Sequence, residues 1–342
     1  MKNKNNIYIV LGIAGILILA VAAFAINRYF TDYKENVSEN FHLYITPEMS
    51  YCNLLDTLEG KLHNIRSFER CFKRENPHGT LSVGHYYIKK GMHNKAISRT
   101  ISNGWQTPVR LTLSGNIRGI EKLCGIAGKR LMCDSATFSN YLNAPQITEE
   151  YGFTKETFAS MFIPDTYELY WSCTPQKFAE KMHKEYVKFW NSQRTEKAKQ
   201  IGLSPIEVSV LASIVCEESN YAPELSTIAG VYMNRLKKGM NLEADPTVKY
   251  ALGDPGIKRI LYKHLKVDSP YNTYIHNGLP PGPITIPSKS GIDAVLNYAQ
   301  HNYLYFCANA KLNGTHEFAR TLSEHNRNAI AYQSAINKLK IK

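Results

Sequence analysis

The most informative segment of this chain is LASIVCEESNYAPELSTIAGVYMNRLKKGMNLEADPTVKYALG, residues 211–253. Just before it, Ser204 supplies a helix N-cap, Pro205 occupies the first helical position, and Glu207 completes a capping box. Apolar residues then recur at helical spacing, at Val208, Leu211, Ile214 and Val215. We therefore predict a helix that begins after Ser204 and extends to the two acidic residues at 217 and 218.

Glu218 continues this apolar stripe, because it follows Leu211 and Ile214 at helical spacing, whereas Glu217 is rotated away by about 100°. A carboxyl held against apolar groups loses hydration, so its pKa rises. Such a group is protonated near neutral pH and can act as a general acid. The alternative is a structural acid that caps the helix or pairs with Arg235.

A second helix follows the first. Pro223 can open it, and Lys237, Lys238 and Gly239 can end it, with cations in the last turn and a glycine after it. Asn234 and Arg235 would then lie near its C-terminus. The Asp-Pro-Thr triplet at 245–247 comes shortly afterwards.

The sequence of these segments resembles that of the YceG-like endolytic murein (peptidoglycan) transglycosylases. The core of that family has the approximate motifs ASIVxxE, AGVFxNRL and GMxLxxDPTVxYxLG. The resemblance continues in five further pieces: FIPDTY (162–167), YNTY (271–274), GLPPGPI (278–284), YLYF (303–306) and HN (325–326). It covers nearly everything after residue 80. Each piece alone is a weak signal, but the joint pattern is very specific.

The resemblance implies that Glu218, which ends the ASIVxxE pattern, is the catalytic acid. Many members carry another glutamate two residues earlier, where this chain has Cys216, so a role for that extra acid is in doubt. No histidine stands near Cys216 in the sequence, and it is expected to be a small buried residue and not a nucleophile. The candidate substrate-binding residues are Asn234, Arg235, Asp245, Thr247, Asn272, Tyr274 and His316.

The implied reaction needs one carboxyl group and no metal or organic cofactor. Glu218 would protonate the bridging oxygen of a MurNAc–GlcNAc bond, then take the proton of the MurNAc 6-hydroxyl, which attacks C1 and leaves a 1,6-anhydro end. Ordinary glycosidases use two carboxylates, and Asp245 is the best second candidate. A hydrolase (muramidase) on the same substrate and a non-catalytic glycan-binding scaffold are the competing functions.

Residues 7–26, IYIVLGIAGILILAVAAFAI, form an uncharged apolar run. About twenty helical residues cross the bilayer core, and Lys2 and Lys4 before the run favour a cytoplasmic N-terminus. A cleaved signal peptide is the competing interpretation, although its apolar core is normally shorter. We expect an uncleaved single-pass anchor in the cytoplasmic membrane, with everything after about residue 30 on the outer side.

The formal charge of +12 comes from scattered Lys and Arg, and no nucleic-acid motif accompanies it. The expected partners are therefore peptidoglycan glycan strands and the cytoplasmic membrane, with no nucleic acid. The resemblance adds action on nascent strands beside penicillin-binding synthases. The seven cysteines show no metal-binding spacing, and a bridge between Cys124 and Cys133 stays open.

We expect an α+β fold, divided into a cytoplasmic tail (1–6), a transmembrane anchor (7–26), a linker (27–40), a LysM-like subdomain (41–113) and a catalytic domain (114–342). The stretch GHYYIKKGM…SNGWQTPVRLTL is similar to the small βααβ LysM-like module of the family, with strands at 83–88 and 107–113 and a helix at 92–103. Such a module either binds glycan or only orients the catalytic domain. The catalytic domain is expected to be mainly helical with small sheets around the cleft, and a loop at 162–171 brings the aromatic residues Tyr167, Tyr170 and Trp171 to sugar or to the core.

Overall fold

The computed structural model describes residues 2–115, 117–254, 257 and 259–338, with the backbone alone for residues 2–6. Helices there alternate with three two-stranded sheets, which confirms the α+β prediction. The chain divides into two compact units. The first is Met1–Val109 with Glu168–Ser172, and the second is Arg110–Tyr167 with Cys173–Lys342.

The first unit begins with one long helix, α1 (Lys2–Tyr33). Its stretch Ile7–Tyr33 is long and apolar enough to cross a membrane, and its apolar side chains are exposed. The helix runs beyond residue 27, where the linker was expected to begin. It continues because Asp32 is buried in an ion pair with Arg74, so the end of α1 packs into the folded unit.

The rest of the first unit has the order β1 (Phe41–Ile45), α2 (Tyr51–Leu58), α3 (Ile65–Glu75), β2 (Gly84–Ile88) and α4 (Asn94–Ser102). β1 and β2 are antiparallel, with Phe41 opposite Ile88. Alternate residues of β1 are buried and pack with the apolar faces of α2 and α3. The strand predicted at 83–88 and the helix predicted at 92–103 are both confirmed.

β3 (Val109–Leu113) and β4 (Asp165–Leu169) form a second two-stranded sheet. The segment 162–171 was predicted to be a loop, and this prediction was wrong because β4 occupies half of it. The signal for a strand was weak, since proline precedes it and charged residues interrupt it. Of the aromatic residues there, Tyr167 is buried and its hydroxyl donates to the Ile163 carbonyl, whereas Tyr170 is exposed.

The remaining helices and strands belong to the second unit. They are α5 (Gly119–Gly128), α6 (Ser135–Leu142), α7 (Pro145–Glu150), α8 (Pro175–Phe189), α9 (Ser192–Gln200), α10 (Pro205–Glu218), α11 (Leu225–Lys237), α12 (Asp245–Leu252), α13 (Lys289–Leu296), β5 (Tyr305–Ala308), β6 (His316–Ala319) and α14 (Leu322–Lys338). β5 and β6 are antiparallel.

Helix α10 lies at the centre of the second unit and packs against α9, α11, α12 and α13. Every residue from Val208 to Cys216 is buried, including Ser209 and Ser213. The apolar stripe predicted from the sequence is therefore part of a helix that is buried on all sides, because small residues fill the gaps between its larger ones. Ser213 remains hydrogen-bonded, since its hydroxyl donates to the Val210 carbonyl.

Candidate active site

The first element of the site is helix α10, and its ends are set by local sequence. Ser204 is the N-cap, its hydroxyl accepts from the Glu207 amide, and the Glu207 carboxylate accepts from the Ser204 amide. This capping box confirms the predicted start of the helix. The helix ends at Glu218, because Ser219 is extended. The last helical residue therefore carries the candidate acid.

Glu218 is partly buried, and its side chain contacts the next helix along the chain. The Tyr232 hydroxyl, on α11, donates a hydrogen bond to Glu218 Oε1 at 2.6 Å. Tyr232 itself is 2 % exposed. Burial raises the pKa of Tyr232 well above its usual value, so the phenol stays protonated and acts as a donor.

The pKa of Glu218 is raised to about 7. Burial is the main cause, the charges of Asp245 and Glu217 add to it, and the hydrogen bond from Tyr232 opposes it. A carboxyl with this pKa is divided between its neutral and ionised forms at neutral pH. It can therefore both donate and accept a proton within one reaction cycle.

Glu218 opens into a cavity of about 370 Å³. Polar and aromatic side chains of α11, α12, α14, β5 and β6 contribute to its wall. The lining residues are Glu218, Tyr232, Arg235, Leu242, Glu243, Asp245, Tyr274, Leu304, Tyr305, Phe306, Cys307, Ala308, His316, Leu322 and His325. Acidic groups beside aromatic rings and hydrogen-bond donors are the composition expected of a carbohydrate site.

Asp245 and Tyr274 form one wall of this cavity. The Tyr274 hydroxyl donates to Asp245 Oδ1 at 2.7 Å. Burial, and then the hydrogen bond to Asp245 and its charge, raise the pKa of Tyr274, so the phenol stays a donor. Asp245 thus accepts a hydrogen bond from Tyr274, and its negative charge also acts on Glu218.

Arg235 lines the cavity, but its guanidinium group donates hydrogen bonds to other residues of the protein. Its Nε donates to the Leu304 carbonyl at 2.7 Å, and its Nη1 donates to the Asn241 carbonyl and the Glu243 carboxylate, both at 2.8 Å. The guanidinium carbon also lies 5.0 Å from the centre of the Tyr305 ring. The residue therefore fastens β5 to the segment that precedes α12.

Three of the candidate residues lie outside the cavity wall. Asn234 donates to the carbonyls of His301 and Tyr303, and Thr247 is buried with its hydroxyl bonded to the Ala244 carbonyl and to Thr273. Asn272 is buried and donates to two backbone carbonyls. These side chains hold the loops that carry the lining residues, and their placement supports an indirect role.

His316, the last of the candidates, lies in the wall on β6, where its ring nitrogen Nδ1 is 3.0 Å from the Glu224 carboxylate. The cavity thus brings together Glu218, Arg235, Asp245, Tyr274 and His316. The sequence reasoning did not single out Tyr232, Glu243 or Glu224. Tyr232 occupies a position typical of core packing in a predicted helix, and nothing in the sequence indicates the partner of its hydroxyl.

Of the seven cysteines, Cys307 lines the cavity and the other six lie outside its wall. All seven cysteines are free thiols, so the open question of a Cys124–Cys133 bridge is answered in the negative. Cys216 is buried, with Sγ 3.4 Å from the Ser288 hydroxyl, and burial raises the pKa of its thiol. Within the described ranges no three His, Cys, Asp or Glu side chains converge to form a metal site.

Comparison with known proteins adds an independent observation. The chain matches the model of the YceG-like family over residues 43–331. It is 33% identical to the endolytic murein transglycosylase of Bacillus subtilis (strain 168) over 290 residues, which are 80% of this chain and 79% of that protein. A protein of the same name from Streptococcus pneumoniae (strain D39) is 30% identical over 48% of this chain, but the match covers 30% of its own length.

A solved structure is also similar. The crystal structure of a putative YceG-like protein from Listeria monocytogenes matches with a TM-score of 0.56 and 26% identity. The match covers 84% of this chain and 98% of that one.

Proposed function

The chain belongs to the YceG-like family, and we propose that it is a lytic transglycosylase that cleaves the glycan strands of peptidoglycan at MurNAc–GlcNAc bonds. One observation carries the proposal. Glu218 is a carboxyl with a pKa of about 7, fixed by Tyr232 at the edge of a polar and aromatic cavity. The names of the curated relatives from B. subtilis and S. pneumoniae agree with this activity.

The first step is proton donation by Glu218. Because Tyr232 donates to Oε1, the proton of the neutral carboxyl is carried by Oε2. That proton passes to the oxygen that bridges two sugars, and the C1–O bond breaks with positive charge developing at C1. The 2-acetamido group of the substrate stabilises this charge, so no second carboxylate is needed as nucleophile.

The second step uses the carboxylate that the first step leaves behind. Glu218 takes the proton of the MurNAc 6-hydroxyl, whose oxygen bonds to C1 and closes a 1,6-anhydro ring. The proton taken here replaces the proton given earlier, so the enzyme returns to its starting state and no water is consumed. A pKa near 7 suits both halves of this cycle.

The place of action follows from the N-terminal helix. We propose that residues 7–26 of α1 anchor the chain in the cytoplasmic membrane and that the part of the chain after about residue 30 lies on its outer side. We propose that the first unit contains a LysM-like module that contacts glycan, and the order β1, α2, α3, β2 within the expected bounds 41–113 supports it. Its paired strands are β1 and β2, and not the two strands expected at 83–88 and 107–113. An anchored enzyme of this kind would cut nascent strands close to the membrane, beside the penicillin-binding synthases, and so terminate their elongation.

The experiment that tests this proposal is product analysis in isotopically labelled water. Purified peptidoglycan is incubated in H₂¹⁸O with the full chain in a mild detergent, and the glycan ends are identified by mass spectrometry. We expect 1,6-anhydro-MurNAc ends without ¹⁸O. Reducing MurNAc ends that carry ¹⁸O would identify a muramidase, and binding without cleavage would identify a scaffold.

A further inference from the structure

Glu224 makes a pair of contacts that the proposed reaction does not use. It ends the short 3-10 turn Ala222–Glu224, immediately before α11. Its Oε1 accepts from the backbone amide of His316, and its Oε2 accepts from Nδ1 of the same residue, both at 3.0 Å. The two side chains are 13 % and 14 % exposed. One carboxylate therefore fixes both the backbone and the ring of a single histidine.

This pairing determines which ring nitrogen of His316 is free. A carboxylate has only acceptor atoms, so Nδ1 must carry the hydrogen of the bond between them. In the neutral ring, Nε2 is then a hydrogen-bond acceptor. No residue in the described part of the chain makes a hydrogen bond to Nε2. The ring of Phe306 lies edge-on to the imidazole, with centroids 5.4 Å apart, and limits its rotation.

The free nitrogen belongs to a residue of the cavity wall that also contains Glu218. We propose that His316 Nε2 accepts a hydrogen bond from a sugar hydroxyl of the bound glycan, and that Glu224 is a positioning residue that holds the imidazole in the accepting tautomer. This inference rests on the proposed function. It adds a substrate contact on β6, fixed through a residue from the start of α11.

The competing explanation is a purely structural link between β6 and the start of α11. Such a link would need the bond to the backbone amide of His316 and would place no requirement on the tautomer of the ring. The two explanations therefore differ in what happens to Nε2 when the substrate binds. They also differ in the effect on substrate binding of substitutions that preserve the contact between residues 224 and 316.

Two substitutions separate these explanations. His316→Asn keeps an amide donor near the position of Nδ1, so the bond to Glu224 is retained while Nε2 is lost. Glu224→Gln leaves the ring in place but offers it an amide hydrogen, so the favoured tautomer carries its hydrogen on Nε2, which can no longer accept. The matched control is His276→Asn, at an exposed histidine outside the cavity.

The first measurement is steady-state cleavage of peptidoglycan by the full chain and its variants. We expect KM to rise roughly five- to tenfold in His316→Asn and in Glu224→Gln, the loss of one hydrogen bond, with kcat changed less than KM. The control should match the unmutated protein. An unchanged KM in His316→Asn would overturn the inference while leaving the proposed function intact.

The second measurement is ¹⁵N NMR of the histidine side chains, with His316 assigned from its variant. The free protein should show hydrogen on Nδ1 of His316, and Glu224→Gln should move it to Nε2. Titration of Glu218→Gln with a MurNAc–GlcNAc tetrasaccharide should shift the Nε2 resonance. An unperturbed Nε2, or absence of binding, would overturn the inference. Because this titration requires no cleavage, it tests the contact at Nε2 even if the proposed function fails.

Discussion

The Tyr232 hydroxyl lies 2.6 Å from Glu218 Oε1, and this hydrogen bond joins the last turn of α10 to the middle of α11. Both helices come from one continuous segment of the chain, connected by a turn at residues 219–224. The acid is thus positioned by the segment that follows it directly. The bond also opposes the rise in pKa that burial causes at Glu218.

Removal of this hydroxyl should change the pH dependence of the reaction. In Tyr232→Phe, the pKa of Glu218 should rise further above about 7, because the bond that stabilised its ionised form is gone. Donation requires the protonated acid, so the alkaline limb of the kcat/KM profile should move to higher pH, with a lower maximum. The control is Tyr186→Phe, in α8 and outside the cavity wall, for which we expect no movement of the limb.

Neutralisation of Asp245 should act in the opposite direction. Its charge helps to raise the pKa of Glu218, so Asp245→Asn should lower that pKa and move the alkaline limb to lower pH. The same kcat/KM profile measures it, with Asp293→Asn as a control, since Asp293 pairs with Arg194 outside the cavity wall. A limb that stays in place in Asp245→Asn would show that the charge of Asp245 does not raise the pKa of Glu218.

Arg235 should matter for the stability of the fold. It is 6 % exposed, and lysine cannot reach both Leu304 and Asn241 with a single ammonium group. We expect Arg235→Lys to lower the free energy of unfolding by about 2–4 kcal/mol, measured by urea unfolding of the full chain in a mild detergent.

The matched control for that change is Arg194→Lys, at an arginine that pairs with Asp293 nearer the surface. Its cost should stay below about 1 kcal/mol. Equal losses in the two variants would contradict a special role for the Arg235 network.

A substitution at Gly291 on α13 tests how closely α13 packs against α10. A Cβ atom there would lie 2.1 Å from Cys216 Sγ, so Gly291→Ala should destabilise the chain by about 1–3 kcal/mol. Removal of the sulfur makes space for that atom. The double variant Gly291→Ala with Cys216→Ala should therefore be more stable than Gly291→Ala alone in thermal unfolding. No recovery would mean that the two residues are not in contact.

The sequence predicts α10 and α11 well because their signals are local. A capping box, an N-terminal proline and a terminal glycine each act within one turn of helix, and the structure has helices at Pro205–Glu218 and Leu225–Lys237 where these signals indicated them. The strand β4 was not predicted, because the short strands β3 and β4 stabilise each other and the sequence of one strand does not reveal its partner.

The candidate site could be predicted in part, because several of its residues lie in or near local sequence motifs. Glu218, Asp245 and Tyr274 lie close to recognisable motifs, and the fold brings them to one cavity. Asn234 and Asn272 have the same chemical groups as sugar-binding residues, but their amides bond to backbone carbonyls. Composition cannot distinguish these two uses of an amide, because the difference lies in tertiary contacts.

The role of Glu218 as the acid can be tested by comparing two adjacent glutamates. Glu218→Gln and Glu217→Gln are assayed side by side for 1,6-anhydro-MurNAc ends released from purified peptidoglycan, each with the full chain in the same detergent. Glu217 pairs with Arg118 and does not line the cavity, so its variant should remain active. We expect no product from Glu218→Gln, with its thermal unfolding unimpaired. Normal product formation by Glu218→Gln would contradict the account.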